Sequence, residues 1–387
     1  MNVMGAYLAY KEMLRNRGRF LLFSMVIALI TLLVLFIAGL GEGLGSGNKQ
    51  YIEKLDADLL VFKAKVDYSI GTSKIERSKL NAIRRVEGVA EVGPISFSAA
   101  SLVFDDNRKP LNVSLIGVEP GLPGEIPALQ GQQLSGRRAS EAVIDRNTAV
   151  RAKVGVGDTI RVKTIQAAKE EYYDLLVVGV SDARQYSLQP SVVVPMLTFE
   201  KIKPQAAAGP ADAELISNVV AVRLLDPAAG AAMKLRLESE VSDIQAADLV
   251  TAYESTPGYS AQQGTLNTQR GFVLLIGVLV IGGFFQIQTL QKVAQIGMLK
   301  AIGTPNRTIA AASIIQIILV TAIGVAIGSA VTIGLSLVFP PTVPIAFTGP
   351  NVIVGIVSLL VIGPVGGLLS IRQALKVEPL MALGLAS

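Results

Sequence analysis

The acidic residues are the side chains of this chain best suited to proton transfer or ligand binding, because its 387 residues include no His and no Cys. The lack of both residue types excludes the usual zinc sites, thiol nucleophiles, disulfides and a Ser-His-Asp triad. Several acids lie close together in sequence, and solvated surface positions are their expected role. Among them are Asp56 and Asp58, Asp105 and Asp106, and Glu170 and Glu171.

Glu42 is a different case, because it follows a long apolar run and lies near the depth at which an ionisable group becomes costly in a membrane. An acid in such a place is a candidate for substrate binding. The alternative is a solvated carboxylate in the headgroup region. The sequence alone leaves both interpretations of Glu42 open.

Glycines surround this acid in GLGEGLGSG, residues 39–47. A phosphate-binding loop would need a preceding strand and the free N-terminus of a following helix, whereas this stretch ends an apolar helix. The spacing of four residues between Gly39 and Gly43 is typical of close helix packing. Gly324 and Gly328 repeat that spacing in a later apolar run, and the same packing role is expected.

No Walker A motif, G-x-x-x-x-G-K-[ST], occurs in the sequence. The chain is therefore not expected to bind and hydrolyse ATP by a P-loop. Any ATP-driven function would need another subunit, and no arrangement of residues indicates that the chain is an enzyme by itself.

Four apolar runs are long enough to cross a bilayer, which takes about 20 residues. They predict transmembrane helices over 20–44, 269–290, 309–339 and 351–371. The first run is longer than the apolar region of a signal peptide and is interpreted as an uncleaved span. The remaining predicted segments are a cytoplasmic N-terminal segment, 1–19; an extracytoplasmic domain, 45–268; a cytoplasmic coupling segment, 291–308; an external loop, 340–350; and a cytoplasmic tail, 372–387.

Basic residues flank these runs and set the predicted orientation. Outside residues 41–265 the chain has ten Lys or Arg but only two acids, Glu12 and Glu378. The basic flanks all fall on one side if both termini are cytoplasmic, as the positive-inside rule requires. The basic balance of the chain is thus a membrane feature and does not indicate nucleic-acid binding. The predicted topology is that of a multi-pass plasma-membrane protein with both termini in the cytoplasm.

The segment between the first two spans is predicted to be an α+β domain, with one lobe or two left open. Runs rich in β-branched residues predict strands in NVSLIGV, DLLVVGV, VVVPML and NVVAVRLL. KIERSKLNAIRRV and PAAGAAMKLRLESEV have helical spacing, and Asp226 before Pro227 is a good N-cap. Residues 203–214 are the best candidate for a flexible loop.

The segment QKVAQIGMLKAIGTPNRTI, residues 291–309, is a short basic helix that ends at Gly303-Thr304-Pro305. Its Ile296, Leu299 and Ile302 are spaced by three and predict one apolar ridge. The helix could rest on anionic headgroups through its lysines. It could equally dock a cytoplasmic partner, and the residues alone do not decide between these roles.

The order of the spans and this segment resemble the permeases of the MacB/FtsX-like ABC transporter family (type VII). That family carries a motif like K-x-x-E-I-G-x-L-[KR]-A-[IL]-G-A after the second span. Gln295 stands where the family usually has Glu, which puts any salt bridge from this position in doubt. The C-terminal ALKVEPLMAL, with Pro379 and Ala382, also resembles the family's ending. The positions of the motif in this chain are Lys292, Gln295, Ile296, Gly297, Leu299, Lys300, Ala301, Ile302 and Gly303.

The resemblance implies four transmembrane helices, a large extracytoplasmic domain after the first of them, and a non-enzymatic homodimer. It also implies two copies of a separate ATPase subunit, which would hold ATP and Mg and dock on the motif. Membrane lipid and a periplasmic adaptor are further implied partners. Family members extrude drugs, peptides, lipids or haem, release lipoproteins, or relay force to an external protein, so both a transport and a relay function remain open.

The stretch LFIAGLGEGLGSGN, residues 35–48, is most similar to the haem-exporter (HrtB-like) branch of the family. If that branch applies, haem would bind near the outer leaflet between spans. Without His or Cys, axial ligation would fall to a carboxylate, Tyr or Met. Glu42 is then the candidate ligand.

Overall fold

The computed structural model describes residues 3–106, 108–166, 169–204, 216–256, 258–339, 343, 345–347 and 349–376. The chain forms two compact units. The membrane unit comprises residues 1–43 and 263–387, and the soluble unit comprises residues 44–262. Most of the loop predicted at 203–214 and the C-terminal residues 377–387, with Pro379 and Ala382, lie outside the described residues.

Helices provide the whole framework of the membrane unit and cover the sheet of the soluble unit. Pro227–Ala229 forms a short 3-10 helix. The α-helices are α1 (Val3–Arg15), α2 (Arg17–Glu53), α3 (Arg77–Arg84), α4 (Arg146–Ala152), α5 (Met196–Ile202), α6 (Gly230–Glu240), α7 (Leu249–Glu254), α8 (Tyr259–Gln291), α9 (Val293–Ala301), α10 (Asn306–Ser336) and α11 (Gly349–Lys376).

The strands all belong to the soluble unit. They are β1 (Leu59–Lys63), β2 (Ile75–Glu76), β3 (Val89–Val103), β4 (Leu111–Val118), β5 (Gln130–Gly131), β6 (Glu141–Asp145), β7 (Thr159–Gln166), β8 (Lys169–Ser181), β9 (Ser191–Pro195), β10 (Ile216–Ser217), β11 (Val219–Leu224) and β12 (Ile244–Asp248).

Within the part of the chain that the structure describes, four helices are long and apolar enough to cross a membrane: α2, α8, α10 and most of α11. This confirms the predicted architecture of four spans with an α/β domain between the first and second. The helices extend beyond the apolar runs, since α2 continues to Glu53 and α8 begins at Tyr259. Hydropathy identifies the apolar part of a helix only, whereas backbone hydrogen bonding continues through its polar ends.

One mixed sheet of ten strands forms the centre of the soluble unit, in the order β12-β1-β11-β3-β4-β9-β6-β8-β5, with β7 beside β3 and β8. Neighbouring strands are mostly antiparallel, but β4 pairs with β9, and β6 with β8, in parallel. Strands β2 and β10 form a separate pair. The sheet runs through the whole unit, so the alternative of two separate lobes is not observed.

Both faces of this sheet are covered, because consecutive residues of a strand point to opposite sides. Leu60 packs with the end of α2 and with α7 in one apolar cluster, whereas Leu59 packs with α3 and α6 in another. A third cluster joins the β6–β8 region to α4 and α5. Asp226 caps the helical segment that follows it by accepting a hydrogen bond of 3.0 Å from the Ala228 amide, as its sequence predicts.

Close backbone approach holds the membrane helices together. A Cβ atom at Gly324 would lie 2.6 Å from Ile27 Cβ, and one at Gly328 would lie 2.5 Å from the Ala28 carbonyl oxygen. These two glycines of α10 therefore let α2 come near, which is the packing role expected from their spacing. Gly282 of α8 and the Gly366 carbonyl oxygen of α11 form a similar contact, at 2.7 Å from a Cβ at Gly282.

We predict that Gly328→Leu destabilises the membrane unit by about 1–3 kcal/mol, because the added side chain must displace Ala28 or Thr31 of α2. The measurement is the midpoint of thermal unfolding of the full chain in detergent. Gly334→Leu is the matched control, since a Cβ at Gly334 of the same helix meets no atom within 4 Å. Equal midpoints for the two variants would contradict the packing role.

Candidate functional site

Helix α9 is the short helix predicted between the second and third spans, and its end is closed by a glycine. Gly303 has a φ of 91°, a left-handed conformation that side chains disfavour. The Thr304 amide donates to the Leu299 carbonyl at 3.0 Å, and the Gly303 amide donates to the Lys300 carbonyl at 2.9 Å. This pair of bonds is a Schellman motif. Pro305 then caps α10 with an extended backbone.

The ridge predicted from Ile296, Leu299 and Ile302 is wrong in its first member, since Ile296 is only 8% exposed. Ile296 is buried against Ile309 and Ala374, and Leu299 is half-buried. Gly297 beside Ile296 is also buried. Because α9 connects two long helices, one of its faces must pack against α10 and α11 and cannot also be free for a partner.

The exposed face of α9 shares Ile302 with that ridge, but its other two members each lie one residue earlier in the chain. It consists of Gln295, Met298 and Ile302, which are spaced by three and four and so lie on one side of the helix. Ile302 is 82% exposed and Met298 is 53% exposed. Ala301 and Gly303 are also exposed at the C-terminal end.

A partly buried polar cluster fixes the start of α9, with Gln316 buried and Glu12 and Lys292 half-buried. The Lys292 ammonium forms an ion pair with the Glu12 carboxylate of α1. Gln316 of α10 donates to Glu12 Oε2 at 2.7 Å and accepts from Lys292 Nζ at 3.4 Å. Burial lowers the pKa of Lys292, although its hydrogen bond to Glu12 acts in the opposite direction. Three helices therefore meet at this cluster, which we name the Glu12–Lys292–Gln316 cluster.

The second lysine of the motif also binds within the chain. Lys300 Nζ donates to the Leu375 carbonyl of α11 at 2.8 Å. The two lysines thus hold α9 to α1, α10 and α11, and neither extends freely from the helix. A lysine anchor on lipid headgroups, one of the two roles left open by the sequence, finds no support in this arrangement.

Glu12 and Gln316 were not identified as site residues from the sequence. Glu12 is one of only two acids outside residues 41–265, and Gln316 interrupts an apolar run. Both facts are visible signals, because a polar side chain in such a run needs a partner. The sequence could have indicated these residues but not that they join Lys292.

Glu42 lies on α2 within the membrane unit, where it is half-buried and takes part in an interaction with its surroundings. Nearby, a Cβ at Gly39 would lie 2.6 Å from the Phe347 ring, and the Gly39 carbonyl accepts from the Ala346 amide at 3.0 Å. Gly39 therefore contacts the segment before α11 and not the face of another helix. Gly43 is buried.

The paired acids of the soluble unit do not converge on a catalytic site. Asp56 pairs with Arg223, Asp105 with Arg161, and Glu170 with Lys163. Among the residues that the structure describes, no group of three or more acidic side chains could hold a metal ion. Asp56, Asp105 and Glu170 are thus members of exposed surface ion pairs.

We predict that Glu12 and Lys292 stabilise the chain as a coupled pair. Glu12→Gln or Lys292→Met alone should destabilise it by about 1–3 kcal/mol, because each leaves a charge buried without its partner. The double variant should lose clearly less than the sum of the two. The measurement is thermal unfolding in detergent of the wild-type chain, the two single variants and the double variant.

The exposed pair Lys63–Asp243 is the control for this cycle, with the variants Lys63→Met and Asp243→Asn. Its atoms are 3.8 Å apart and both side chains are well exposed, so its coupling should stay below about 0.5 kcal/mol. Additive effects of Glu12→Gln and Lys292→Met would show that the buried contact contributes nothing.

Comparisons with known proteins agree with this architecture. The model of the MacB-like periplasmic core domain matches residues 20–253, and the model of the FtsX-like permease C-terminal region matches residues 271–379. The hemin transport system permease protein HrtB of Staphylococcus haemolyticus is 25% identical over 97% of this chain and 99% of its own length. HrtB of Staphylococcus epidermidis is also 25% identical, over the same shares.

Two solved domains show a weaker likeness. The extracellular domain of the ABC-type transporter YknZ aligns with a TM-score of 0.35 and 11% identity, over 49% of this chain and 99% of that domain. The periplasmic region of MacB from Actinobacillus actinomycetemcomitans aligns with a TM-score of 0.35 and 16% identity, over 52% and 92%. Since the two family models together match most of the sequence, the chain belongs to the MacB- and FtsX-like permeases of ABC transporters.

Proposed function

We propose that this permease is the membrane subunit of an exporter driven by a separate ATPase, which expels a hydrophobic or amphipathic substrate from the membrane. In this proposal the exposed face of α9, formed by Gln295, Met298 and Ile302, receives the ATPase. The chain itself supplies no ATP-binding motif, so ATP and Mg would be held by the partner.

The observation that carries this proposal is the combination of exposure and attachment in α9. Ile302 is 82% exposed, and a large apolar side chain on a short connecting helix is a suitable anchor for a groove in a partner. The opposite side of α9 is tied to α1 and α10 through Lys292 and to α11 through Lys300. Movement of a docked ATPase would therefore act on three helices at once.

Assembly and orientation are parts of the same proposal. Both termini and α9 would face the cytoplasm of a bacterium, because the Lys and Arg residues cluster in the flanks on that side. Two copies of the chain and two ATPase subunits would form the working unit, in contact with membrane lipid. A periplasmic adaptor on the soluble unit is a further partner that the family relationship supports.

The proposed substrate is haem. Its support is that relatives matching nearly the whole chain carry the name of a hemin transport permease. Haem would enter as cargo, and Glu42 of α2 would supply a carboxylate ligand in a chain that has neither His nor Cys. The location of Glu42 within the membrane unit agrees with a lipid-soluble substrate.

Relay of motion to an external protein, or release of a lipid or lipoprotein, is the second candidate function. One observation favours a relay: α2 runs as a single helix from Arg17 to Glu53, and Tyr51 and Ile52 near its end are fully buried in the core of the soluble unit. A continuous helix with a buried end can carry a displacement along its axis. Transport and relay differ in whether a small molecule stimulates ATP hydrolysis.

We predict that Ile302→Asp uncouples the ATPase from the permease without preventing membrane insertion. A charge at the centre of an apolar contact should weaken docking by on the order of 2 kcal/mol. The measurement is ATPase activity and co-purification of the partner with the full chain in nanodiscs. Leu225→Asp is the control, since Leu225 is 73% exposed in the soluble unit. Unchanged docking in Ile302→Asp would refute this role of α9.

We further predict that haem stimulates ATP hydrolysis by the reconstituted complex and that Glu42→Ala abolishes most of this stimulation. Glu254→Ala, which removes an exposed acid of the soluble unit, should leave it intact. The titration should include lipids and hydrophobic drugs as well as haem. If another compound stimulates ATP hydrolysis and haem does not, that compound is the substrate in place of haem. If no small molecule stimulates ATP hydrolysis, the relay function is favoured.

A further inference from the structure

A cleft in the soluble unit lies outside the features used so far. It is open to solvent, and its cavity volume is about 80 Å³. This is smaller than a site that encloses a whole drug-sized molecule, so the cleft would hold one end of a ligand while the rest extends along the surface. One wall is a single face of α3, and the others come from the loops after β4 and β5 and from the pair β2–β10. We name it the arginine cleft, after Arg77, Arg84 and Arg137.

Two of its arginines have no carboxylate to pair with among the residues that the structure describes. Arg77 and Arg84 are exposed and seven residues apart on α3, so they lie on one face, about 10 Å apart along the helix. This is notable because residues 41–265 contain 28 acids against 25 basic residues. Pairing partners were available in this part of the chain, yet none of the described acids neutralises these two charges.

The third arginine is held in place. Arg137 Nε pairs with Glu119 Oε2 at 2.5 Å, and the Glu119 side chain is only 15% exposed. The Arg137 carbonyl also accepts from the Leu197 amide at 3.2 Å. This wall of the cleft is therefore fixed before any ligand arrives, while Arg77 and Arg84 remain available.

The floor of the cleft is apolar. Leu80 and Met196 are buried there, beside Pro94, while Ile216 is 40% exposed at the edge. If Arg77 and Arg84 were only solvent-exposed charges on α3, an apolar floor beneath them would not be needed. Cationic groups above an apolar floor suit a ligand that combines an anionic group with an apolar body.

We propose that the arginine cleft binds an amphipathic carboxylate, with its anionic group on Arg77 and Arg84 and its apolar part over Leu80 and Met196. Long-chain fatty acids and haem, through its propionates, share this chemistry. The inference does not depend on the role proposed for α9 or Glu42, because all the residues involved belong to the soluble unit.

The test uses the full chain in nanodiscs and a hexadecanoate that carries a photoreactive diazirine. After irradiation, digestion at glutamate residues releases segment 77–87, whose label is measured by mass spectrometry. Arg77→Gln/Arg84→Gln should lose roughly tenfold of this label, because charge-assisted hydrogen bonds are removed. Arg85→Gln/Arg138→Gln removes two exposed arginines that do not line the cleft, and it should keep the label.

Competitors identify the ligand class. Excess unlabelled hexadecanoate should remove the label from segment 77–87, and hexadecanol should not. If haem also removes the label, the site binds both fatty acids and haem. If haem does not remove the label, the site is restricted to fatty acids. Equal labelling of the two double variants, competition by hexadecanol, or label confined to the membrane helices would overturn the proposal.

Discussion

Close approach between helix backbones is the constraint on which the membrane unit depends. Apolar side chains gain nothing by leaving lipid for a neighbouring helix, so association must come from packing and from the few polar contacts available. Gly324 and Gly328 bring α10 against α2, and Gly282 meets Gly366 between α8 and α11. The same spacing of four recurs in Gly363 and Gly367 of α11, which approach Thr321 and Ile317 of α10. Glycines thus occur at each of these three helix crossings.

The Glu12–Lys292–Gln316 cluster fixes how the helices are oriented, which close packing does not do by itself. A buried ion pair is weak evidence for stability, because desolvation of both charges opposes their attraction. Its effect here is positional: Lys292 pairs with the Glu12 carboxylate, and Glu12 is shared with Gln316 of a third helix. Apolar contacts between helices tolerate small rotations of a helix about its axis. The hydrogen bonds and the ion pair of this cluster form in one orientation of the helix. This restriction and the packing of Ile296 against Ile309 and Ala374 together set the orientation of α9, and hence which of its faces is exposed.

Much of the fold could be predicted from the sequence, since long apolar runs, the Asp226 cap and the Gly303 terminator act locally. The exposed face of α9 could not. Val293–Ala301 is apolar on nearly every side, so a spacing of three fits both the ridge from Ile296 and the face from Gln295. Only the neighbours decide, and Ile309 and Ala374 come from helices that follow later in the chain. The extension of α2 to Glu53 was missed because hydropathy does not detect the polar end of a helix.

The surroundings of Ile302 separate the two roles first considered for α9. The residues that follow it, Gly303, Asn306 and Arg307, are exposed and mostly polar, and Arg307 carries a charge that hydrocarbon would not accept without a partner. An 82% exposed Ile302 beside them is therefore poorly placed for deep burial in lipid. A lysine anchor would in turn need free ammonium groups, but Lys292 and Lys300 bind Glu12 and the Leu375 carbonyl. The docking role that we propose for α9 would use its exposed apolar side chains, while Lys292 and Lys300 hold the helix to α1, α10 and α11.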